Sequence, residues 1–312
     1  MFAGMMLVGM AIEGALGWPR WLNALIGHPV SWLGRLISGL DARLNRDGRS
    51  PAQRRARGSF TALSVILVAT LAGLVLQALL PEGPRGQLVG GLLAFPLIAT
   101  RSLYDHVAAV ARPLAAGNLG AARQAVSMIV GRDPNALDEG GVTRAAVESL
   151  AENSSDGVIA PLFWGVLLGL PGLCAYKAIN TLDSMIAHRT PRHEDFGRTA
   201  AIIDDWANLV PARLSALLFA LASGRFRTAW AAVRADARRH RSPNAGWPEA
   251  AMAGALGIRI SGPRSYGGRM TSEPWVNAPG RDARAGDLKG ALGLYLRAML
   301  LVALVLGFLG VL

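Results

Sequence analysis

The chain predicts an all-α, polytopic integral membrane helical bundle, with about four to six hydrophobic segments and a basic extramembrane region. Three observations carry that prediction: long uncharged runs, a composition short of charge, and arginines gathered between the runs. Residues 59–80 contain no charge over 22 positions, enough for a helix to cross a hydrocarbon core about 30 Å thick. Residues 290–312 are nearly as apolar, with Arg297 the one interior charge. Hydrophobic residues make up 52% of the chain, charged residues only 17%, and mean hydropathy is +0.32, whereas soluble domains carry about 25% charge. The net charge of +11 would suggest nucleic acid in a soluble chain. Here the cytoplasmic loops of a membrane protein, which collect Arg and Lys, account for it. No aromatic-rich basic module or zinc-ligand spacing argues for a nucleic-acid partner. Cys174, the single cysteine, lies in an apolar run, which excludes a disulfide framework and a cysteine-rich metal site. The expected setting is a multi-pass protein of the cell (inner) membrane, with residues 1–312 one membrane domain in the lipid bilayer.

In order, residues 2–17 predict a short first helix, interrupted by Glu13 and lacking the basic start of a cleavable signal. The Trp-rich stretch WPRWLNALIGHPVSWLGRLISGLDARL has the spacing of an amphipathic helix at the membrane surface. Residues 41–58, with six arginines against Asp41 and Asp47, predict a basic cytoplasmic loop. The run 59–80, the turn PEGPRG and a second run at 87–104 predict an antiparallel helical hairpin. A mostly polar part follows, with a helix around 119–130 and a turn at GRDPNALDEGG. Another helix is predicted over 142–153, and apolar residues continue through 157–176. After the polar loop TPRHEDFGRT, Asp204 and Asp205 open a helix over 205–222, where acids suit the helix dipole. Residues 223–289 predict a basic, Gly- and Pro-rich extramembrane region, and 290–312 closes the chain.

Two courses through the middle satisfy these patterns. If 157–176 and 205–222 each cross fully, Asp156 and Lys177 lie about 30 Å apart at 1.5 Å per residue. The loop between then falls outside and 223–289 returns inside, which the charge rule accepts although Lys177, Arg189, Arg192 and Arg198 weaken it. Alternatively, a break at Pro171 and Gly172 turns the segment into two half-helices that dip in and return.

The stretch 144–189 holds polar residues where an apolar chain least favours them. Glu148, Glu152 and Asp156 recur every four residues and drift slowly around one helical face. Arg144 lies one turn before Glu148, which offers an ordinary ion pair for one carboxylate. Carboxylates stacked beside an apolar segment are costly without a cation, and Mg²⁺ takes a few carboxylates plus substrate phosphates. Asn153 is placed to hydrogen-bond beside them or to cap the helix join. Lys177, Asn180, Thr181 and Ser184 share neighbouring helical positions, with Asp183 turned partly aside. They suit a phosphate or amide-bearing ligand, or a polar seam between packed helices. Asp205 and Asn208, one turn apart, form a second candidate metal-ligand pair. No Walker-type loop, GxGxxG after a strand or HExxH is present.

Four motifs, GHPVSWLGRLI, RAAVESLAENSSDGVIAPLFW, YKAINTLDSMI and SPNAGWPEAAMAGALGIRISGPRSYGG, resemble one family over about residues 10–300. It is the integral-membrane cobalamin-biosynthesis family called CobD or CbiB, the adenosylcobinamide-phosphate synthases. The resemblance implies an acid-amine ligase that joins (R)-1-amino-2-propanol, or its O-phosphate, to a propionate carboxylate of adenosylcobyric acid. It implies activation by ATP and Mg²⁺, expected through an acyl phosphate. Under it, Glu152, Asp156, Lys177 and Asp183 are the catalytic candidates. Glu148, Glu152, Asp156 and Asp205 are the Mg²⁺ candidates. Asn153, Asn180, Thr181, Ser184, Asn244, Trp247 and Glu249 are the ligand-binding candidates. Trp32, Trp164, Trp206, Trp247 and Tyr266 are candidates to line a corrinoid cavity, and His28, His188 or His240 to approach cobalt. A membrane transporter and an Mg²⁺-dependent transferase acting on a lipid diphosphate are the rival classes.

Overall fold

The structure, a computed structural model, describes residues 2–129, 137–188, 190–266, 269–271 and 273–311. Its helices, in order, are α1 (Phe2–Leu16), α2 (Arg20–Ile26), α3 (Pro29–Leu44), α4 (Pro51–Ala78), α5 (Gly83–Ala94), α6 (Thr100–Ala115) and α7 (Leu119–Ser127). There follow α8 (Glu139–Ser154), α9 (Ala160–Ile186), α10 (Arg198–Ala207), α11 (Leu209–Ala222), α12 (Phe226–Asp236), α13 (Gly246–Leu256) and α14 (Asp287–Val311). Strands β1 (Ile260–Ser261), β2 (Arg264–Tyr266), β3 (Arg269–Thr271) and β4 (Trp275–Val276) form two short antiparallel pairs, β1 with β4 and β2 with β3. Among the described residues, four helical stretches are long and apolar enough to cross a membrane, Pro51–Ala78, Gly83–Ala115, Glu139–Ile186 and Asp287–Val311, and the bent pair Phe2–Leu16 with Arg20–Leu44 would make a fifth. The chain is therefore an all-α, multi-pass bundle. The turn expected over GRDPNALDEGG falls partly on 131–136, outside the described residues.

The chain divides into two compact units. One comprises Met1–Ala99, Ala160–Asn208 and Leu306–Leu312, the other Thr100–Ile159 and Leu209–Val305. In the first, α4 packs along the second half of α9, with Ala62, Val65 and Ala69 against Ala178, Leu182 and Ile186, and Ile37 and Phe196 closing the cluster. α4 begins earlier than the uncharged run does, because Ser50 and Gln53 form a reciprocal capping box and Pro51 fills the first turn. The basic loop expected over 41–58 is thus mostly helical: α3 runs to Leu44 and α4 starts at Pro51, and Arg54, Arg55 and Arg57 stand on helical turns. The amphipathic helix expected after residue 17 is broken at Gly27 and His28, and α1 and the α2–α3 segment are bent by 111°.

Residues 157–176 do not form one straight helix. Gly169 has φ 69° and ψ −150°, a region open essentially to glycine alone. A Cβ built on Gly172 would lie 2.4 Å from the Trp164 carbonyl oxygen, although eight residues of straight helix would separate the two by about 12 Å. Ala160 and Tyr176 likewise share one core cluster with Ala207. The segment is a helical hairpin reversing at Gly169, slightly before the break expected at Pro171. Pro171 sits in the first turn of the returning arm, where its missing N–H costs little. Gln77 of α4 closes the reversal, its Oε1 accepting from Leu170 N at 2.9 Å.

The turn after α9 meets the basic segment. Arg192 donates to Asp41 at 2.7 Å, Arg55 to Asp195 at 2.7 Å, and Arg54 to the Pro191 carbonyl at 3.0 Å. Residues 190–195 therefore lie beside 41–55. Of the basic residues between 157–176 and 205–222, Arg192 is thus held against Asp41 of α3.

The helix expected over 205–222 is two helices, α10 and α11, broken at Asn208. Asp204 and Asp205 end α10 rather than opening a helix, so the dipole does not explain them. In the second unit, α13 is buried over most of its length and packs against α11 and α12. Gly254 permits this closeness, since a Cβ there would lie 2.8 Å from the Ala232 Cβ. The region expected as an extramembrane segment over 223–289 thus contains the central helix of the second unit. Tyr295 of α14 donates to the Thr100 carbonyl at 2.7 Å and ties that helix to the start of α6.

Candidate functional site

In the first unit, an open cavity of about 420 Å³, lined by several polar side chains, lies between α3 and the returning arm of α9. Lys177, Asn180, Thr181 and Ser184 line it together with His28 and Ser31. The helical period brings the four α9 residues to one face. Thr181 and Ser184 donate back to the carbonyls of Lys177 and Asn180 at 2.6 and 2.9 Å. Their hydroxyl lone pairs face the cavity that the Lys177 side chain also lines. His28 is the N-cap of α3, and its Nδ1 accepts from Val30 N at 3.2 Å. A neutral ring therefore carries its proton on Nε2. Trp18 meets the His28 ring edge-on, with centroids 4.8 Å apart.

Lys177 also lines a second cavity, of about 490 Å³ and almost wholly apolar, with Trp18, Trp32, Leu33, Val68 and Cys174. Of the other expected tryptophans, Trp164 is engaged structurally, its Nε1 donating to the Ala207 carbonyl at 3.1 Å. Trp206 is 71% exposed on α10. The side chain of Tyr266 lies outside the described residues.

Next to Lys177 in sequence, Tyr176 donates to Asn208 Oδ1 at 2.8 Å, and Asn208 Nδ2 donates to Asp204 Oδ2 at 3.0 Å. This buried relay is a further polar feature, with Asn208 oriented by both partners. Asp183 is turned from the polar cavity and interacts electrostatically with Asp205 and His188.

The second unit holds the remaining candidates. Glu148 is 6% exposed, and its Oε1 accepts from Ser261 N at 2.8 Å. Ser261 has φ 64°, an uncommon conformation for a non-glycine residue, so Glu148 clamps a strained strand residue. Glu148→Ala would leave that buried N–H unpaired and is expected to cost about 1–3 kcal/mol. A lowered Tm in detergent would register it. Glu152 and Asn153 stand exposed at the end of α8, where Asn153 Nδ2 donates to the Ser149 carbonyl at 2.9 Å. Asp156 lies in a π-helical turn, Ser155–Ile159, an irregularity that concentrates at functional sites.

Asn244 and Trp247 meet at Arg213. Its Nη1 donates to Asn244 Oδ1 at 3.2 Å, and its guanidinium lies 4.4 Å from the Trp247 ring centroid. Glu249 is 3% exposed, and its Oε2 lies 3.8 Å from His240 Nε2. Ser242 N donates to His240 Nδ1 at 3.1 Å, which points the Nε2 proton toward Glu249. Trp275 lies between Arg144 and Arg259, at 5.5 and 4.5 Å from its ring. Arg259 also donates to Asp282 at 2.7 Å, and that hydrogen bond holds the Asp282 carboxyl below the ordinary carboxylate range.

Among the described residues, no group of three or more His, Cys, Asp or Glu side chains is placed to hold a metal ion. The carboxylates nevertheless have the right chemistry for Mg²⁺, which is bound through one or two carboxylates, water and substrate phosphates rather than a protein cage. The sequence alone did not place His28 and Ser31 beside Lys177, nor Arg213 beneath Trp247. Their signal was present in the quoted motif GHPVSW and in the charge of Arg213 within an apolar helix.

The comparisons with known proteins agree along the whole chain. The family described as CobD/Cbib protein matches residues 6–295. "Cobalamin biosynthesis protein CobD" of Rhodobacter capsulatus is 58% identical over 311 residues, covering 100% of this chain and 98% of the relative. Proteins of the same name from Brucella suis biovar 1 and Rhizobium meliloti are 48% and 46% identical. The Brucella match covers 95% of this chain and 93% of the relative, and the Rhizobium match 94% and 92%. No solved structure matches the chain. With the family spanning nearly every element described above, the chain belongs to the CobD/CbiB family.

Proposed function

We propose that this protein acts in cobalamin biosynthesis by forming an amide between (R)-1-amino-2-propanol, or its O-phosphate, and a propionate carboxylate of adenosylcobyric acid. The reading is supported by relatives whose shared name is cobalamin biosynthesis protein CobD. The single structural observation behind it is Lys177, placed where a polar cavity and an apolar cavity meet. A corrinoid, with an apolar macrocycle and a polar fringe, and an anionic amine substrate suit such a junction. The cell (inner) membrane is the proposed location, with 1–312 acting as one multi-pass membrane protein.

Amide formation from a carboxylate in water is uphill, and ATP with Mg²⁺ supplies the activation. The chain's residues bind and orient. Lys177 neutralises anionic phosphate oxygens, and the hydroxyls of Ser31, Thr181 and Ser184 bond them. Asn180 presents both amide donors and acceptor to the same ligand. The substrate amine bonds to the activated carbonyl carbon, the leaving group departs with its C–O electron pair, and the proton the amine releases passes to solvent water, while His28 donates its Nε2–H to a ligand oxygen. Glu152 and Asp156 would be the carboxylates that hold Mg²⁺, with Asp205 a separate candidate and Asp183 a catalytic one. Asn153 contributes to ligand binding, as do Asn244, Trp247 and Glu249 around Arg213 and His240. Glu148 is the least suited metal ligand of the set, because its Oε1 already holds Ser261.

The test is direct. Purified protein in lipid nanodiscs, given adenosylcobyric acid, aminopropanol or its phosphate, ATP and Mg²⁺, is expected to yield the amide by mass spectrometry, and none without ATP. Absence of product beside an active homologue overturns the proposal. Glu152→Gln and Asp156→Asn are each expected to lower turnover about 100-fold or more while the protein still inserts. Near-normal turnover would return both residues to a structural role.

A further inference from the structure

A third cavity lies in the second unit, away from every residue assigned above. It has a volume of about 690 Å³ and is lined by Arg225, Phe226, Arg227, Thr228, Asn277 and Arg281, among others. Arg281 is engaged, its guanidinium holding both carboxylate oxygens of Asp287 at 2.5 and 2.8 Å. Among the described residues, the Arg225 and Arg227 guanidiniums make no hydrogen bond or ion pair. The same point is the start of α12, whose first turn has no side-chain cap, so backbone N–H groups and two cations converge there.

The position of the cavity along the membrane normal follows from its neighbours. α11 exposes Val210, Leu214, Leu217 and Leu221 and ends at Ala222. Arg297 of α14 donates to that last carbonyl at 2.9 Å. Along α14, Leu288, Leu292 and Tyr295 before Arg297 are buried, whereas Leu296, Leu300 and Leu304 around and beyond it are exposed. The lipid-facing part of α14 therefore begins at the level where α11 ends. Beside the arginines, Phe226 and Trp230 stack with an interplanar angle of 12° and ring centroids 5.8 Å apart, and Phe226 is 41% exposed. Aromatic rings at such a level anchor a helix in the headgroup region.

The geometry points to a binding site for the phosphate of an anionic phospholipid headgroup, held by Arg225, Arg227 and the first turn of α12, with Phe226 and Trp230 against its acyl chains. The apolar neighbours and the level of the cavity favour a lipid over a free phosphate, which would share the charged contacts but leave the aromatic pair unused. Each arginine close to an anionic lipid is worth about fivefold in binding.

Native mass spectrometry of the full chain, released from phosphatidylcholine bilayers with and without phosphatidylglycerol, tests the assignment. The wild type is expected to retain phosphatidylglycerol in preference to phosphatidylcholine, and R225Q/R227Q to retain it about 25-fold more weakly. Arg234→Gln, an exposed charge of α12 outside the cavity, is expected to match the wild type. An unchanged Tm for R225Q/R227Q separates loss of the site from loss of the fold. Equal retention by wild type and double variant overturns the site. Displacement of the lipid by millimolar inorganic phosphate, or equal retention of phosphatidylcholine, overturns the lipid assignment.

Discussion

Lys177→Met is expected to lower amide formation about 10²–10³-fold in a protein that accumulates and inserts normally. The side chain sits on one wall shared by two cavities, so methionine keeps the apolar contacts of the lysine stem and removes only the ammonium. If the ammonium neutralises charge developing in the transition state, kcat falls. If it only holds the substrate phosphate, KM for aminopropanol phosphate rises while kcat stays, and unphosphorylated aminopropanol loses nothing. Steady-state kinetics with both amines separates these outcomes. Wild-type values for both substrates would remove Lys177 from the reaction.

Gly169→Ala is expected to have the largest effect on folding. The φ 69°, ψ −150° conformation costs a non-glycine residue about 1–3 kcal/mol. In addition, the new Cβ would collide with Gln77 Oε1, the acceptor that holds Leu170 N. The reversal must open or shift, and the returning arm carries Lys177, Asn180, Thr181 and Ser184 with it. Detergent-extracted yield and Tm should both fall, with activity lost alongside. Gln77→Leu, which removes the acceptor but not the conformational freedom, is expected to give a smaller drop in Tm. A Gly169→Ala protein as stable as the wild type would contradict a glycine-only reversal.

The uncharged runs made the membrane class and most helices legible, because burial in lipid tolerates few alternatives to apolar residues. The breaks were harder to read. Gly169 is one of 37 glycines, and only its φ and its contact with Gln77, 92 positions away, mark it as the turning point. Asp204 and Asp205 look like helix-opening acids until Asn208 is seen to end α10 beneath them. The polar face of α9 was visible in the spacing of Lys177, Asn180, Thr181 and Ser184. Its opposite wall, His28 and Ser31, comes from nearly 150 residues earlier, and no local pattern links the two. Glu148 shows the converse: its four-residue spacing to Glu152 suggests a shared ion, but the fold gives it a backbone N–H to hold.

The shared wall at Lys177 has a thermodynamic corollary. A ligand filling the apolar cavity excludes water from one side of the ammonium, and in that drier setting its attraction for an anion on the other side strengthens. Occupancy of the two cavities is then coupled, and by linkage each ligand tightens the other by the same factor. Order of addition becomes immaterial to that factor, and a half-filled protein holds either molecule more loosely than a filled one.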